Sequence, residues 1–294
     1  MPQTIRTQTL TIAYETHGPA DGPPVILLHG FPDDIHAWDA VAPVLGEAGH
    51  RVIVPYLRGY GPTLLHNPFI PRTGQQAALG QDLLDLMDAL AIPQAILAGY
   101  DWGGRAACIV AALWPERVRG LVSATGYNIH HIASANTPAL PKDELRLWYQ
   151  WYLHTERGRA GLAANRRDFA RLLWRMWSPN WAFTEATLNR TADSFDNPDF
   201  VDIVIHSYRH RYGIVPGAPA YDGIEARLAQ QPPITVPSIN LYGQIDGVRP
   251  ATSNDPAAAH FTGRYRRIVI PGAGHFLPQE APQAFIDAIR ELAG

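Results

Sequence analysis

The sequence predicts an α/β protein: a doubly wound, mostly parallel sheet with an inserted helical cap. Three observations carry this expectation. Short apolar runs alternate with stretches of helical spacing through residues 1–125, the rhythm of βαβ units. The rhythm stops near Gly126, where the chain turns rich in tryptophan, tyrosine and arginine with no strand series. It resumes near Ile234. The expected division is a core of residues 1–125 and 224–294 and a cap of residues 126–223.

Gln8–Tyr14 alternates polar and apolar residues, which suits a half-buried strand near a sheet edge. Pro24–Leu28 and Arg51–Pro55 are short apolar runs with the character of buried strands, and His36–Ala48 between them reads as a helix. From Gln75 to Leu90 apolar residues recur at helical spacing, and Ile92-Pro93 stops that helix. Ala95–Ala98 is a buried strand, a helix runs from about Arg105 to Trp114, and Arg117–Ala124 is the next strand. Within the cap, Leu145–Leu153 and Arg167–Trp177 look like aromatic-lined helices. Ile234–Tyr242 and Arg266–Ile270 are late strands, and Pro282–Leu292 closes the chain as a helix.

Composition narrows the function. The chain has 294 residues, 46% hydrophobic and 17% charged, which fits a globular protein with a large core. A formal net charge of −3 gives no sign of nucleic-acid binding. The single Cys108 lies in an apolar segment, reads as a small buried hydrophobe and excludes an internal disulfide. No leader-like or membrane-spanning apolar run is present, so the expected location is the cytoplasm. His130-His131 lacks the spacing of a metal site, and no metal or cofactor is expected. The expected partners are a small-molecule substrate and water, with a homodimer left open.

The stretch Leu97-Ala98-Gly99-Tyr100-Asp101-Trp102-Gly103-Gly104 joins a buried strand to a helix through a tight turn with glycines on both sides of one residue. That is the arrangement of a nucleophile elbow, where small neighbours let a strained turn raise one side chain above a parallel sheet. The usual centre is serine; here it is Asp101. After the late strand comes Gly243-Gln244-Ile245-Asp246, and after the last strand Gly272-Ala273-Gly274-His275. Nucleophile, acid and histidine thus follow in the order this elbow predicts, at the strand ends where open parallel sheets carry their sites. Asp222 and Asp255 compete with Asp246. Thr125-Gly126-Tyr127-Asn128, after the strand before the cap, offers no acid.

With these motifs and His29-Gly30-Phe31-Pro32, the chain resembles an α/β-hydrolase with a helical cap over essentially its whole length. It departs from that pattern where an aspartate usually precedes the arginine-glycine loop: Tyr56 stands there, ahead of Arg58-Gly59. A carboxylate, already ionised at neutral pH, can displace a leaving group from sp³ carbon and form an alkyl ester on the protein. His275, oriented by Asp246, would then activate water against the carbonyl carbon of Asp101. The oxyanion needs two donors, expected from the backbone N–H groups of Trp102 and Phe31. Aspartate therefore points to epoxides or alkyl halides rather than esters.

Epoxide hydrolases of this fold carry two cap tyrosines, one typically before glutamine and one before arginine. The resemblance places these at Tyr149, before Gln150, and Tyr208, before Arg209. A neutral phenol can donate to a developing alkoxide. Haloalkane dehalogenases are similar in the Asp-Trp elbow but usually have asparagine where this chain has Phe31. Fluoroacetate-type dehalogenases are similar in the His-Gly-Phe-Pro loop, in Arg105 and in cap aromatics at Trp151 and Tyr208. They usually have arginine where this chain has Trp102 and histidine where it has Gln150. The reading is an epoxide hydrolase, with Trp102, Arg105, Gln150 and Trp151 lining the pocket. A dehalogenase and a non-catalytic ligand-binding relative are the alternatives. His206 and His210, one helical turn apart, line either the pocket or the cap surface.

Overall fold

The computed structural model describes residues 2–294. Among them nine strands form one sheet: β1 (Gln3–Arg6), β2 (Leu10–His17), β3 (Pro24–Leu28), β4 (Arg51–Pro55), β5 (Leu64–Leu65), β6 (Ala95–Gly99), β7 (Val118–Ala124), β8 (Ser238–Gly243) and β9 (Tyr265–Ile270). The order is β1-β2-β4-β3-β6-β7-β8-β9, with β5 beside β2. Strands β4 to β9 along this path pair in parallel, and β2 is antiparallel to β1, β4 and β5. The central strands are apolar on both faces because helices cover both sides. The sheet is flanked by α1 (Ala42–Glu47), α2 (Gln76–Ala89), α3 (Asp101–Leu113) and α12 (Pro282–Ala293).

Between β7 and β8 lie α4 (Pro141–Arg146), α5 (Trp148–His154), α6 (Glu156–Ala164), α7 (Arg166–Trp177), α8 (Glu185–Ala192), α9 (Phe200–His210) and α10 (Asp222–Leu228). The short α11 (Leu277–Glu280) precedes α12. The inserted helices turn aromatic faces onto the carboxyl edge of the sheet: Trp174 Nε1 donates to Pro32 O at 2.8 Å, and the Tyr208 ring meets Phe31 edge-on at 5.4 Å. None of the helices is long and apolar enough to cross a membrane among the described residues.

Several elements differ from the sequence expectation. The helix expected over His36–Ala48 is broken: Ile35–Trp38 forms a 3₁₀ turn and α1 starts only at Ala42. Pro43 explains the break, since it has no N–H to donate back and sits in the first turn of α1. The Leu145–Leu153 helix is two helices, α4 and α5. The strand expected from Ile234 starts at Ser238, after Pro237; Ile234 makes only an isolated bridge with Phe261. The amino-terminal strand β1 carried no apolar signal because it is mostly exposed.

The chain leaves β3 outward to β4 and returns to β6 on the other side of β3. The carboxyl ends of β3 and β6 therefore flank a topological switch point, where open α/β sheets form their binding crevice. Leu28 on β3 pairs with Gly99 on β6, so Phe31 and Asp101 emerge side by side.

Candidate active site

Asp101 is the first residue of α3 and has φ +49°, a left-handed conformation that costs a non-glycine residue roughly 1–2 kcal/mol. Small neighbours make the turn possible. A Cβ on Gly30 would lie 2.6 Å from the Asp101 Cβ, and one on Gly103 would collide with the Leu28 carbonyl. The strain holds the carboxylate at the free N-terminal end of α3, where the amide dipoles favour negative charge.

Each oxygen of Asp101 has a separate surrounding. Oδ1 accepts a 2.8 Å hydrogen bond from Phe31 N–H, while Oδ2 lies 3.8 Å from His275 Nε2. The Trp102 N–H lies in the first turn of α3, where amides have no intrahelical acceptor. Of the two expected donors, Phe31 bonds the Asp101 carboxylate directly, while Trp102 offers the next amide of the same turn.

His275 Nδ1 donates to Asp246 Oδ2 at 2.8 Å, leaving Nε2 buried with no protein partner. Asp246 Oδ1 accepts from Val248 N at 2.7 Å and Arg249 N at 3.0 Å. Burial pushes the Asp246 carboxyl up, but His275 and the two amides outweigh it and hold the group below its ordinary value. Burial pushes the His275 imidazole down, and Asp246, with Asp101 and Glu280, outweighs that and raises it. Of the rival acids, Asp255 bonds Tyr242 and Tyr265 instead of the histidine.

Tyr149 on α5 and Tyr208 on α9 face the same crevice. Their rings meet edge-on at 5.5 Å, and Tyr208 also lies 6.3 Å from the Trp102 ring. Burial raises both phenols above their ordinary pKa, so both are neutral donors. The Tyr149 hydroxyl accepts from Gln150 Nε2 at 2.9 Å, and Gln150 Oε1 accepts from Tyr212 OH at 2.8 Å. The Tyr149 proton is therefore free to point elsewhere.

The remaining expected pocket residues are not all brought to this group. Gln150 reaches it only through Tyr149. Trp151, about 200° around the helix from Tyr149, packs edge-on against His154 and Tyr212. Arg105 is buried with Nε on Asn128 O at 3.1 Å and Nη2 2.7 Å from His130 Nε2. Burial and then Arg211 lower its guanidinium to about 9. His206 accepts from Gly74 N at 3.1 Å and stacks on His210, fastening α9 to the loop before α2.

Residues that sequence reasoning missed surround the group. Trp177, at the end of α7, packs 4.9 Å from Tyr149 and 5.0 Å from His275. It was one of many cap tryptophans, and helical spacing alone cannot tell which of them reaches the crevice. Buried Asp33 accepts from Tyr100 OH at 2.5 Å and Gln279 Nε2 at 2.6 Å, and so supports the residue before Asp101. Burial and neighbouring Asp34 push its carboxyl up to about 8. Its place directly after Phe31-Pro32 was the available signal.

Comparisons with known proteins identify the family. The family described as alpha/beta hydrolase fold matches residues 23–282. Epoxide hydrolase A of Mycobacterium tuberculosis is 28% identical over 313 residues, covering 94% of this chain and 91% of that protein. A solved structure from Klebsiella pneumoniae, described as a "putative epoxide hydrolase", superposes with TM-score 0.95 at 50% identity, covering 99% of this chain and 96% of that one. Epoxide hydrolase A from Mycobacterium thermoresistibile shares the fold, with TM-score 0.78 at 21% identity over 99% of this chain and 97% of that one. A match across most of the chain, together with the sheet order and the elbow, places this protein in the α/β-hydrolase fold family.

Proposed function

We propose that this chain is an epoxide hydrolase that works through an alkyl ester on Asp101. The observation that carries the reading is the opposition of one carboxylate to two neutral phenols across the same crevice. Tyr149 and Tyr208 donate to the epoxide oxygen while Asp101 Oδ2 attacks one ring carbon. The C–O bond of the ring breaks, an ester C–O bond forms, and the alkoxide takes a proton from a phenol. Burial keeps both phenols protonated until the alkoxide appears.

Hydrolysis of the ester falls to His275. Its Nε2 takes a proton from water as the water oxygen attacks the Asp101 carbonyl carbon. Phe31 and Trp102 N–H groups hold the oxyanion. Collapse expels the diol, whose oxygen takes the proton back from His275; the second proton of the water leaves the Asp101 carboxyl and reprotonates the phenolate, so that carboxylate and phenol are both restored. Formation of the ester prepares this step: Asp101 is among the charges that raise the imidazole, and esterification removes that charge. The imidazole therefore becomes more readily neutral at the moment it must act as base. The inserted helices serve as the cap that brings the two tyrosines over Asp101. No cofactor enters these steps.

Halide displacement is a second reading with its own support: the indole N–H groups of Trp102 and Trp177 are buried beside the site and donate to no protein acceptor. One experiment separates the readings. A His275→Gln variant is incubated with an epoxide or a haloacid and the intact protein is weighed. The epoxide reading expects a mass increase equal to the epoxide, mapping to Asp101. Adduct and halide release only with the haloacid would replace it by dehalogenation. No adduct with any member of a broad panel would leave a binding protein.

A further inference from the structure

The last turn of α7 touches the three loops that carry Phe31, Asp246 and His275. Trp174 Nε1 donates to Pro32 O, beside the Phe31 amide. The Trp177 carbonyl accepts from Gly247 N at 2.9 Å, next to Asp246, and from His275 N at 3.1 Å. Ser178 Oγ accepts from His275 N at 2.8 Å and Phe276 N at 3.0 Å. Its two acceptor positions are thus filled, and its own proton goes to Glu280 Oε1. Glu280 Oε2 accepts from Gly274 N at 2.8 Å. Both oxygens of Glu280 accept, so it is bound as the carboxylate.

The fit leaves no slack. A Cβ on Gly274 would lie 2.5 Å from the Ser178 Cα, and one on Gly247 would collide with the Met176 carbonyl. Glycine at these two positions lets the acid and histidine loops approach the backbone of the α7 end directly. Ser178 is buried, and the amides it holds belong to the catalytic histidine and its neighbour.

We propose that Ser178 and Glu280 are positioning residues for ester hydrolysis, gripping the His275 loop from the inserted helices on one side and from α11 on the other. This rests on the two-step reading above. Their side-chain hydrogen bonds go to the His275 loop and to each other rather than to Asp101 or the phenols, so attack on the epoxide does not depend on them. The base step does, because small misplacements of a catalytic group are costly in rate. The Glu280 carboxylate also adds negative charge near the imidazole.

The test follows ester formation and ester decay separately, by rapid quench and intact mass, after mixing the enzyme with a neutral aryl epoxide. In Ser178→Ala, formation is expected within about 3-fold of wild type and decay slower by about 10-fold or more, so the ester accumulates. In Glu280→Gln, which keeps the shape, the rise of decay rate with pH is expected to move to lower pH, a change that a merely structural role would not produce. Should Ser178→Ala not fold, Glu280→Gln carries the test alone. Equal loss in both steps, or an unmoved pH profile and no ester accumulation, would overturn the assignment. If wild-type protein forms no ester, the two-step reading itself falls, and this inference with it.

Discussion

At the scale of single residues, the two steps of the proposed reaction fall to different groups. Tyr149→Phe and Tyr208→Phe each remove one donor to the opening epoxide. Each should slow ester formation about 10-fold or more while leaving ester decay near wild type. The Tyr149 hydroxyl oxygen is held by Gln150, itself held by Tyr212, so Tyr212→Phe should be a milder variant with the same signature. Asp246→Asn should do the opposite. It leaves attack by Asp101 intact but removes the charge that raises and orients His275, so decay should fall by several orders of magnitude. The pH dependence has a definite sign. His275 is raised above its ordinary 6.5 in the free protein, so it is protonated below that raised value and becomes a base only above it. Ester decay should therefore rise with pH. Its midpoint should lie below the imidazole pKa measured by NMR in the free protein, because the ester has lost the Asp101 charge.

At the scale of elements, the elbow is tightly constrained by backbone. Gly103→Ala puts a methyl group against the Leu28 and His29 carbonyls, where β3 and α3 cross, and backbone cannot give way as a flexible side chain can. A loss of stability of about 2 kcal/mol or more in denaturant titration is expected, together with loss of activity. The elbow and its strand were readable from the sequence because their signals are local: an apolar run, a glycine on each side, then a helix former. His275 and Asp246 were readable for the same reason, each following a strand. The short elements were less so. Proline positions, rather than hydrophobic period, set where α1 and β8 begin. The helices of the insertion announced themselves by aromatic spacing, but that spacing did not say which aromatic faces down. Trp151 and Tyr149, two residues apart, end on opposite sides of α5.

At the scale of the whole molecule, function depends on contacts between segments far apart in sequence, and these the sequence could not display. Ser178 meets His275 across 97 residues, and Trp174 meets Pro32 across 142. Buried Arg58 is another such tie. It forks onto Asp82 of α2 at 2.5 and 2.6 Å and lies 3.3 Å from the Tyr221 hydroxyl ahead of α10. Asp82→Asn leaves that guanidinium buried without its counter-charge, and a loss of about 3–5 kcal/mol is expected in thermal or denaturant unfolding. The site is thus a product of the core sheet and the inserted helices together.

The central claim, that the oxygen delivered to the epoxide comes first from Asp101, has a direct measurement. Enzyme in excess over an epoxide completes one turnover in water enriched in oxygen-18, after which the peptide bearing Asp101 and the diol are both weighed. The account predicts the heavy oxygen in the Asp101 carboxylate and an unlabelled diol. Heavy oxygen in the diol with an unlabelled Asp101 peptide would mean that water attacks the epoxide directly, and would contradict it.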